Sequence, residues 1–510
     1  MFETGNNQQI ERSDLEPNQD IWGASETPAA EKTTIKTHAI ATSLKRKLIL
    51  YLLLSAITFT TLILAPNAGI SALLFVLIQA PLLFFLAPRK KPLLLLIPIA
   101  ILALNAFLSA NMIWRIPNLF VGMVLYAVMG LALAARFTVK ERLLGFIGTV
   151  IEHVVYAFSY IPLPFKWGAE TRKEHIPTIK RICIGVGISI PCLIFLVIML
   201  SRADEIFLRA LGDAVDWLTD LVHYELLLRI LGGLVAGFFL FGVLYGAHRP
   251  KEGREAAAKR TITGDVMILN IVLTAVLLVY TFFVIIQFRY LFAPPDQLPY
   301  GLTFVTYARR GFFELLFLTG INIAFILLTV WLTKTKTGKG AKFIKILCLY
   351  LCAVTIALLV SSFYRMWLYG MDDGLTRLRF LVFGFLIFEA VGLLFTFAYI
   401  IRPKFNIVAV YCAIALTYYL LLNLVPMDRI IANDQANRYL RGERVGVHYV
   451  TTLSPDAASE VIRLWEQSGS EETRELVERY FRRYTPESGW RQWNLSMERY
   501  AAYGEVVKEQ

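Results

Sequence analysis

The chain has 510 residues, of which 56% are hydrophobic and 18% charged, with a net charge of +12. Windows such as 48–65 and 72–87 carry no charged residue. Apolar runs of roughly eighteen residues are what a helix needs to cross about 30 Å of hydrocarbon. Only helices and closed barrels satisfy their backbone there, and runs this continuous are helical. The composition therefore excludes a soluble enzyme and predicts an all-α polytopic membrane protein. Nucleic acid is not an expected partner, because no base-stacking or phosphate-cradling pattern accompanies the positive charge.

Residues 1–44 are polar up to the first basic flank and lack the apolar core of a cleaved signal, so they read as a disordered cytoplasmic tail. About eleven spans follow within a membrane domain at 45–425, roughly at 48–65, 69–87, 93–112, 118–135, 182–200, 226–247, 266–288, 312–332, 343–363, 379–400 and 406–425. The stretch 143–165 is apolar but holds Glu152, His153 and an Ile-Pro-Leu-Pro run at 161–164. It is read as an interfacial helix or a re-entrant segment and not as a crossing. In span six, Gly233, Gly237, Gly242 and Gly246 form two small-residue pairs suited to close helix packing. Residues 426–510 read as an extracytoplasmic helical tail, with helices near 455–468, 471–484 and 488–505. Ser454 stands as N-cap with Pro455 first in its helix. Trp465, Trp490 and Trp493 offer bulky anchors in a segment whose eleven arginines and fourteen acids nearly balance.

Laid on these spans, eighteen of nineteen lysines fall on one side and twenty-one of thirty-two arginines on the other. Lysine-rich loops mark the cytoplasmic face, which places the N-terminus inside and the tail outside. If 143–165 crossed, the basic segments 248–260 and 334–342 would move outside.

The five cysteines, Cys183, Cys192, Cys348, Cys352 and Cys412, all lie in spans and imply no disulfide framework. The six histidines show no metal-ligand spacing, and no Walker loop or catalytic triad pattern is present, so neither metal nor cofactor is expected.

The external arginines are the distinctive feature. Arg309 and Arg310, beside Tyr307, precede span eight, and Arg377 and Arg379 open span ten. Cations at a helix start oppose the macrodipole, whereas an anion gathered there would be held by guanidinium forks and free amides. Arg289 leaves span seven, and Arg365 and Tyr369 share a helix face if span nine extends outward. Thr376 is a candidate N-cap of span ten. The opposing reading is internal neutralisation by Asp204, Glu225, Glu314, Asp372 and Asp373, and both readings stay open. The tyrosines also suit an interfacial aromatic belt. Glu389 sits mid-span, about 15 Å along the axis from Arg379. It is either a proton or ion site or a protonated acid bonded to Asn270 or Asn322.

The stretches Ser201–Phe207, Gln287–Phe292, Tyr307–Leu315, Arg365–Arg379, Ile431-Ala432 and Leu453–Ala457 resemble an uncharacterised bacterial membrane family, domain of unknown function 4173, and its relative 4153. The chain departs from that pattern at Asn433-Asp434-Gln435, where the family continues with Arg and Asn. The resemblance implies a bacterial plasma membrane protein and brings no activity.

Three functions are compatible with these residues. The first is binding of an anionic envelope component, a lipid headgroup or a cell-wall precursor, in sensing or envelope maintenance. The second is a transferase or hydrolase acting on a lipid-linked phosphate, with Asp204 or Glu314 as acid or base. The third is a proton-coupled transporter using Glu389. The oligomeric state is not legible.

Overall fold

A computed structural model describes residues 41–64, 69–134, 143–170, 224–248, 264–291, 312–333, 336–443, 446–485 and 489–509, with three isolated helical positions at 189, 196 and 199. Thr42–Gln510 forms one compact unit, separate from Met1–Ala41. The predicted cytoplasmic tail at 1–40 and span five at 182–200 therefore lie outside the described residues, apart from those three positions.

Every element among the described residues is helical. The long helices are α1 (Thr42–Thr58, continued by a π-helical turn Phe59–Ile63), α2 (Ile70–Leu86), α3 (Lys91–Leu108) and α4 (Met112–Leu133). After the shorter α5 (Leu143–Ser159) and α6 (Pro162–Glu170) come α7 (Tyr224–His248), α8 (Val266–Leu291) and α9 (Phe312–Thr333). Then follow α10 (Lys339–Asp373), α11 (Arg377–Ile401) and α12 (Ile407–Leu424). Nine of these are long and apolar enough to cross a bilayer, and α2, at 17 residues, is a shorter apolar helix. Their outward faces confirm the solvent they are built for. On α8, Met267, Leu278 and Phe282 are 72%, 68% and 68% exposed. A contiguous patch of that kind is unfavourable in water and natural against lipid.

The helices divide into two packed groups. In the first, α1, α4 and α5 surround α7. The glycines of α7 make this possible within one chain. A Cβ at Gly237 would stand 2.8 Å from the Ala56 Cβ of α1, and one at Gly242 would stand 2.1 Å from the Ala157 carbonyl oxygen of α5. Gly233 faces Thr60 and Gly246 faces Tyr160. Both small-residue pairs are thus spent on intrachain packing. In the second group, α8, α9, α10 and α11 close around Leu273, Ile326, Cys348, Leu351, Cys352 and Leu386. Cys348 and Cys352 are buried free thiols in this core, where they pack as small apolar residues. Helix α12 bridges the groups by touching both α11 and α3.

The segment 143–165 is helical, with a break at Tyr160-Ile161 between α5 and α6. Going along α5, His153 lies near Gly246 of α7, Ala157 near Gly242 and Phe158 against Phe239. Beyond the break, Phe165 of α6 lies against Phe238 and Trp167 against Phe241 and Tyr245. Lys45, at the start of α1, lies over the Trp167 ring.

The tail comprises α13 (Met427–Leu440), two 3-10 turns (Val447–Thr452 and Pro455–Ala457), α14 (Ala458–Ser468), α15 (Glu471–Phe481) and α16 (Leu495–Glu509). Its core is Ile431, Leu453, Val461, Val477, Tyr480 and Tyr500, with Trp465 packed against it. The three predicted tail helices are present, with a later start for the last. Ser454 does not cap through its side chain. Its amide instead donates to Asp428, and its carbonyl accepts from the Tyr480 hydroxyl.

Candidate functional site at the tail end of the bundle

The tail is not a detached solvated module. It supplies acceptors to backbone amides that helix ends leave without an intrahelical partner. At the start of α2, Gly69 N donates to the Arg491 carbonyl at 3.1 Å and Ile70 N to the Trp493 carbonyl at 2.9 Å. Past the end of α3, Ala110 N donates to Asp456 Oδ1 at 2.8 Å. Between α10 and α11, Leu375 N donates to Asp434 Oδ2 at 2.8 Å, and Arg377 N to the Tyr449 hydroxyl at 3.1 Å. All of these lie at one end of the crossings. The described lysines of α1, α3 and α10 begin those helices at the opposite end.

The strongest tie is Arg377 with Asp428. The guanidinium donates from Nε at 2.8 Å and from Nη2 at 2.6 Å, and Asp428 is fully buried. The Ser454 amide donates to the same carboxylate at 2.8 Å. Burial alone would raise the Asp428 carboxyl, but the hydrogen bonds from Arg377 and Ser454 and the adjacent charge outweigh it, holding the group below its ordinary value. Gly374 makes the approach possible: its φ is +77°, and a Cβ there would stand 2.7 Å from Gln435 Nε2. Gln435 donates to the Leu375 carbonyl at 2.9 Å. The departure at Asn433-Asp434-Gln435 thus supplies two of the contacts that seat the tail.

The other predicted residues are placed as follows. Thr376 caps α11, its hydroxyl accepting from Arg379 N at 3.4 Å. Arg379 is 4% exposed, and its side chain donates back to the Gly374 carbonyl. Arg365 is 5% exposed on α10, which does extend to Asp373. Arg289 and Tyr369 fall in helices, but their side chains lie outside the described residues, as do Asp204, Tyr307, Arg309 and Arg310 altogether. Glu314 is exposed in the first turn of α9. Glu225 and Arg229 form the expected pair at 2.9 Å, too exposed to contribute much. Glu389 is 4% exposed, and its Oε2 stands 2.7 Å from Thr319 Oγ1; its hydrogen-bond partner is thus neither predicted asparagine. Asn270 donates to the Gly340 carbonyl, and Asn322 accepts from Tyr280.

A cleft of about 220 Å³ opens where the tail meets the ends of α3, α4 and α12. Leu108, Trp114, Leu424 and Tyr503 give it apolar walls, and Arg429, Arg499, Asn105 and Asn111 give it polar ones. Arg429 shares Glu460 with Arg463, at 3.2 and 2.9 Å, so one acid answers two cations. Asp456 borders the cleft and is committed to Ser109 and Ser496 at 2.5 Å each and to the Ala110 amide. Burial holds its carboxyl above the ordinary value despite those three donors. Two of the lining residues, Asn105 and Asn423, belong to an amide cluster that continues behind the cleft. Asn105 donates to the Asn423 carbonyl at 2.6 Å, Asn118 to Asn423 Oδ1 at 2.7 Å, and the Tyr419 hydroxyl to Asn118 Oδ1 at 2.6 Å. The sequence reading missed these residues. Their signal was present, since Asn105, Asn118 and Asn423 are isolated amides in apolar spans and Asp456 lies in the Leu453–Ala457 stretch.

Fold and site together define a polytopic helical integral membrane protein with a helical domain docked on one end. The chain belongs to the family of the domain of unknown function DUF4153, whose model matches residues 96–464. That is the second of the two related families expected from the sequence. No curated protein and no solved structure matches the chain.

Proposed function

We propose that this protein binds an anionic component of the cell envelope at the tail end of its bundle, outside the cytoplasm, in sensing or envelope maintenance. The observation that carries this reading is the cleft, lined both by apolar side chains at the helix ends and by Arg429 and Arg499. A lipid headgroup has that two-part chemistry, acyl chains below and phosphate above. At about 220 Å³ the space is smaller than the roughly 300–1,000 Å³ of drug-sized pockets and suits a headgroup more than a whole lipid-linked sugar. The clustering of lysine at the opposite end supports an external tail in a plasma membrane. The external residues marked in the sequence, Arg289, Arg309, Arg310, Arg365 and Arg379, with Tyr307 and Tyr369, are the alternative location.

The test is binding of short-chain phosphatidylglycerol, phosphatidylcholine and inorganic phosphate to the full chain in nanodiscs. Preference for phosphatidylglycerol, weakened tenfold or more by combined Arg429→Gln and Arg499→Gln, is expected. Phosphate binding as tightly as the lipid identifies a soluble anion as ligand. Loss only on combined Arg309→Gln, Arg365→Gln and Arg379→Gln moves the site to those arginines. Equal affinity for both lipids and none for phosphate rejects the function.

A further inference from the structure

Between α9 and α11, far from the cleft, lies a carboxyl group with no cation described beside it. Glu389 is 4% exposed, and among the described residues the side chain bonded to it is Thr319, whose Oγ1 stands 2.7 Å from Glu389 Oε2. The same Oγ1 stands 2.7 Å from the Leu316 carbonyl, one turn back on α9. A threonine hydroxyl carries a single hydrogen. Facing an ionised Glu389, it would meet two acceptors with one proton, and either the carbonyl or the carboxylate would go without. With a proton on Glu389 both contacts are served, the acid donating to Thr319 and Thr319 donating to Leu316.

The contrast with Asp428 sharpens the point. That acid is equally enclosed, yet it takes a guanidinium and an amide. Among the described residues, the polar groups that α8 and α12 bring to this region are neutral. Tyr280 of α8 donates to Asn322 Oδ1 at 2.8 Å, one turn beyond Thr319. On the other side, Tyr411 of α12 donates to the Gly392 carbonyl at 2.9 Å and lies 2.7 Å from Thr396. On α10, Cys348 and Cys352 lie in this core, and Arg365, also buried, lies further along the helix toward Asp373. Glu314, five residues before Thr319, is exposed at the end of α9. An isolated carboxylate in hydrocarbon is costly enough that the group takes up a proton instead.

We propose that Glu389 is a proton-binding site inside the membrane, held as a neutral acid that donates to Thr319, with the proton as its ligand. The site is independent of the anion cleft, and neither stands or falls with the other.

Infrared spectroscopy of the full chain in lipid tests this, because the carbonyl stretch of a carboxylic acid is resolved from the stretches of a carboxylate. At neutral pH, Glu389→Gln is expected to remove an acid band, and adding sodium ions to leave that band in place. Thr319→Val keeps the acid and is expected to shift its band to higher frequency, since the acceptor is gone; this variant serves where Glu389→Gln does not fold. Loss of a carboxylate band in Glu389→Gln, conversion of the acid band to carboxylate by sodium, or an unmoved band in Thr319→Val overturns the proposal.

Discussion

Replacing Asp428 by Asn keeps its shape and removes its charge. The perturbation falls on a side chain with no exposure, bonded twice to an arginine whose side chain is 24% exposed. Removing one partner of a buried pair costs about 3–5 kcal/mol, because the other charge is left without its counterion. The partial exposure of Arg377 puts this case at the lower end, about 3 kcal/mol. At about 1.4 kcal/mol per decade, the docked tail should open roughly a hundredfold more often. The reporter is the Ser454 amide, which donates to Asp428 at 2.8 Å. Hydrogen exchange read by mass spectrometry on peptides spanning 449–457 should accelerate by about that factor, with the membrane helices unchanged. Arg377→Gln in the Asp428→Asn background should add little, since the pair acts as a unit. Wild-type exchange in Asp428→Asn, or full additivity of the two substitutions, refutes the assignment of Arg377 to tail docking.

Two further outcomes follow from the same geometry. Asp428 is held below its ordinary value, so its contribution is present above the unfolded carboxylate value of about 3.9 and is lost as pH falls through the folded one. Asp456 is shifted the other way, so acid removes a buried charge and relaxes no tie through it. Spin labels at the exposed positions Met112 and Trp490 should hold their separation from neutral pH down to about 4 and separate below it, a transition that Asp428→Asn should lack. In the bundle, Gly242→Ala should lower the thermal midpoint, since its Cβ would stand 2.1 Å from a backbone oxygen and overpacking costs about 1–3 kcal/mol. Gly246→Ala, whose Cβ would stand 3.6 Å from Tyr160, should be tolerated, and equal effects of the two would contradict the intrachain packing of α7.

The legible part of this fold is the part governed by solvent. Apolar runs of span length, charged flanks and the Ile-Pro-Leu-Pro break at 161–164 follow from what lipid excludes, and they are read along the chain. The cap at Thr376 was legible because it depends on residues three apart. The pair Glu225–Arg229 was legible for the same reason, at a spacing of four.

The sites depend on partners distant in sequence. Arg377 was marked as a cation at the wrong helix end, and that anomaly was real. The acid that answers it is Asp428, 51 positions away and outside the acids chosen by proximity to the spans. The cleft joins Asn105, Asn423 and Ser496, which no periodicity connects. By itself the sequence determined an all-helical protein with helices of membrane-crossing length, because hydrophobic burial and helix geometry act locally. Only the tertiary structure decided which charges meet, since a buried pair depends on two elements arriving at one place and on desolvation that neither residue encounters alone.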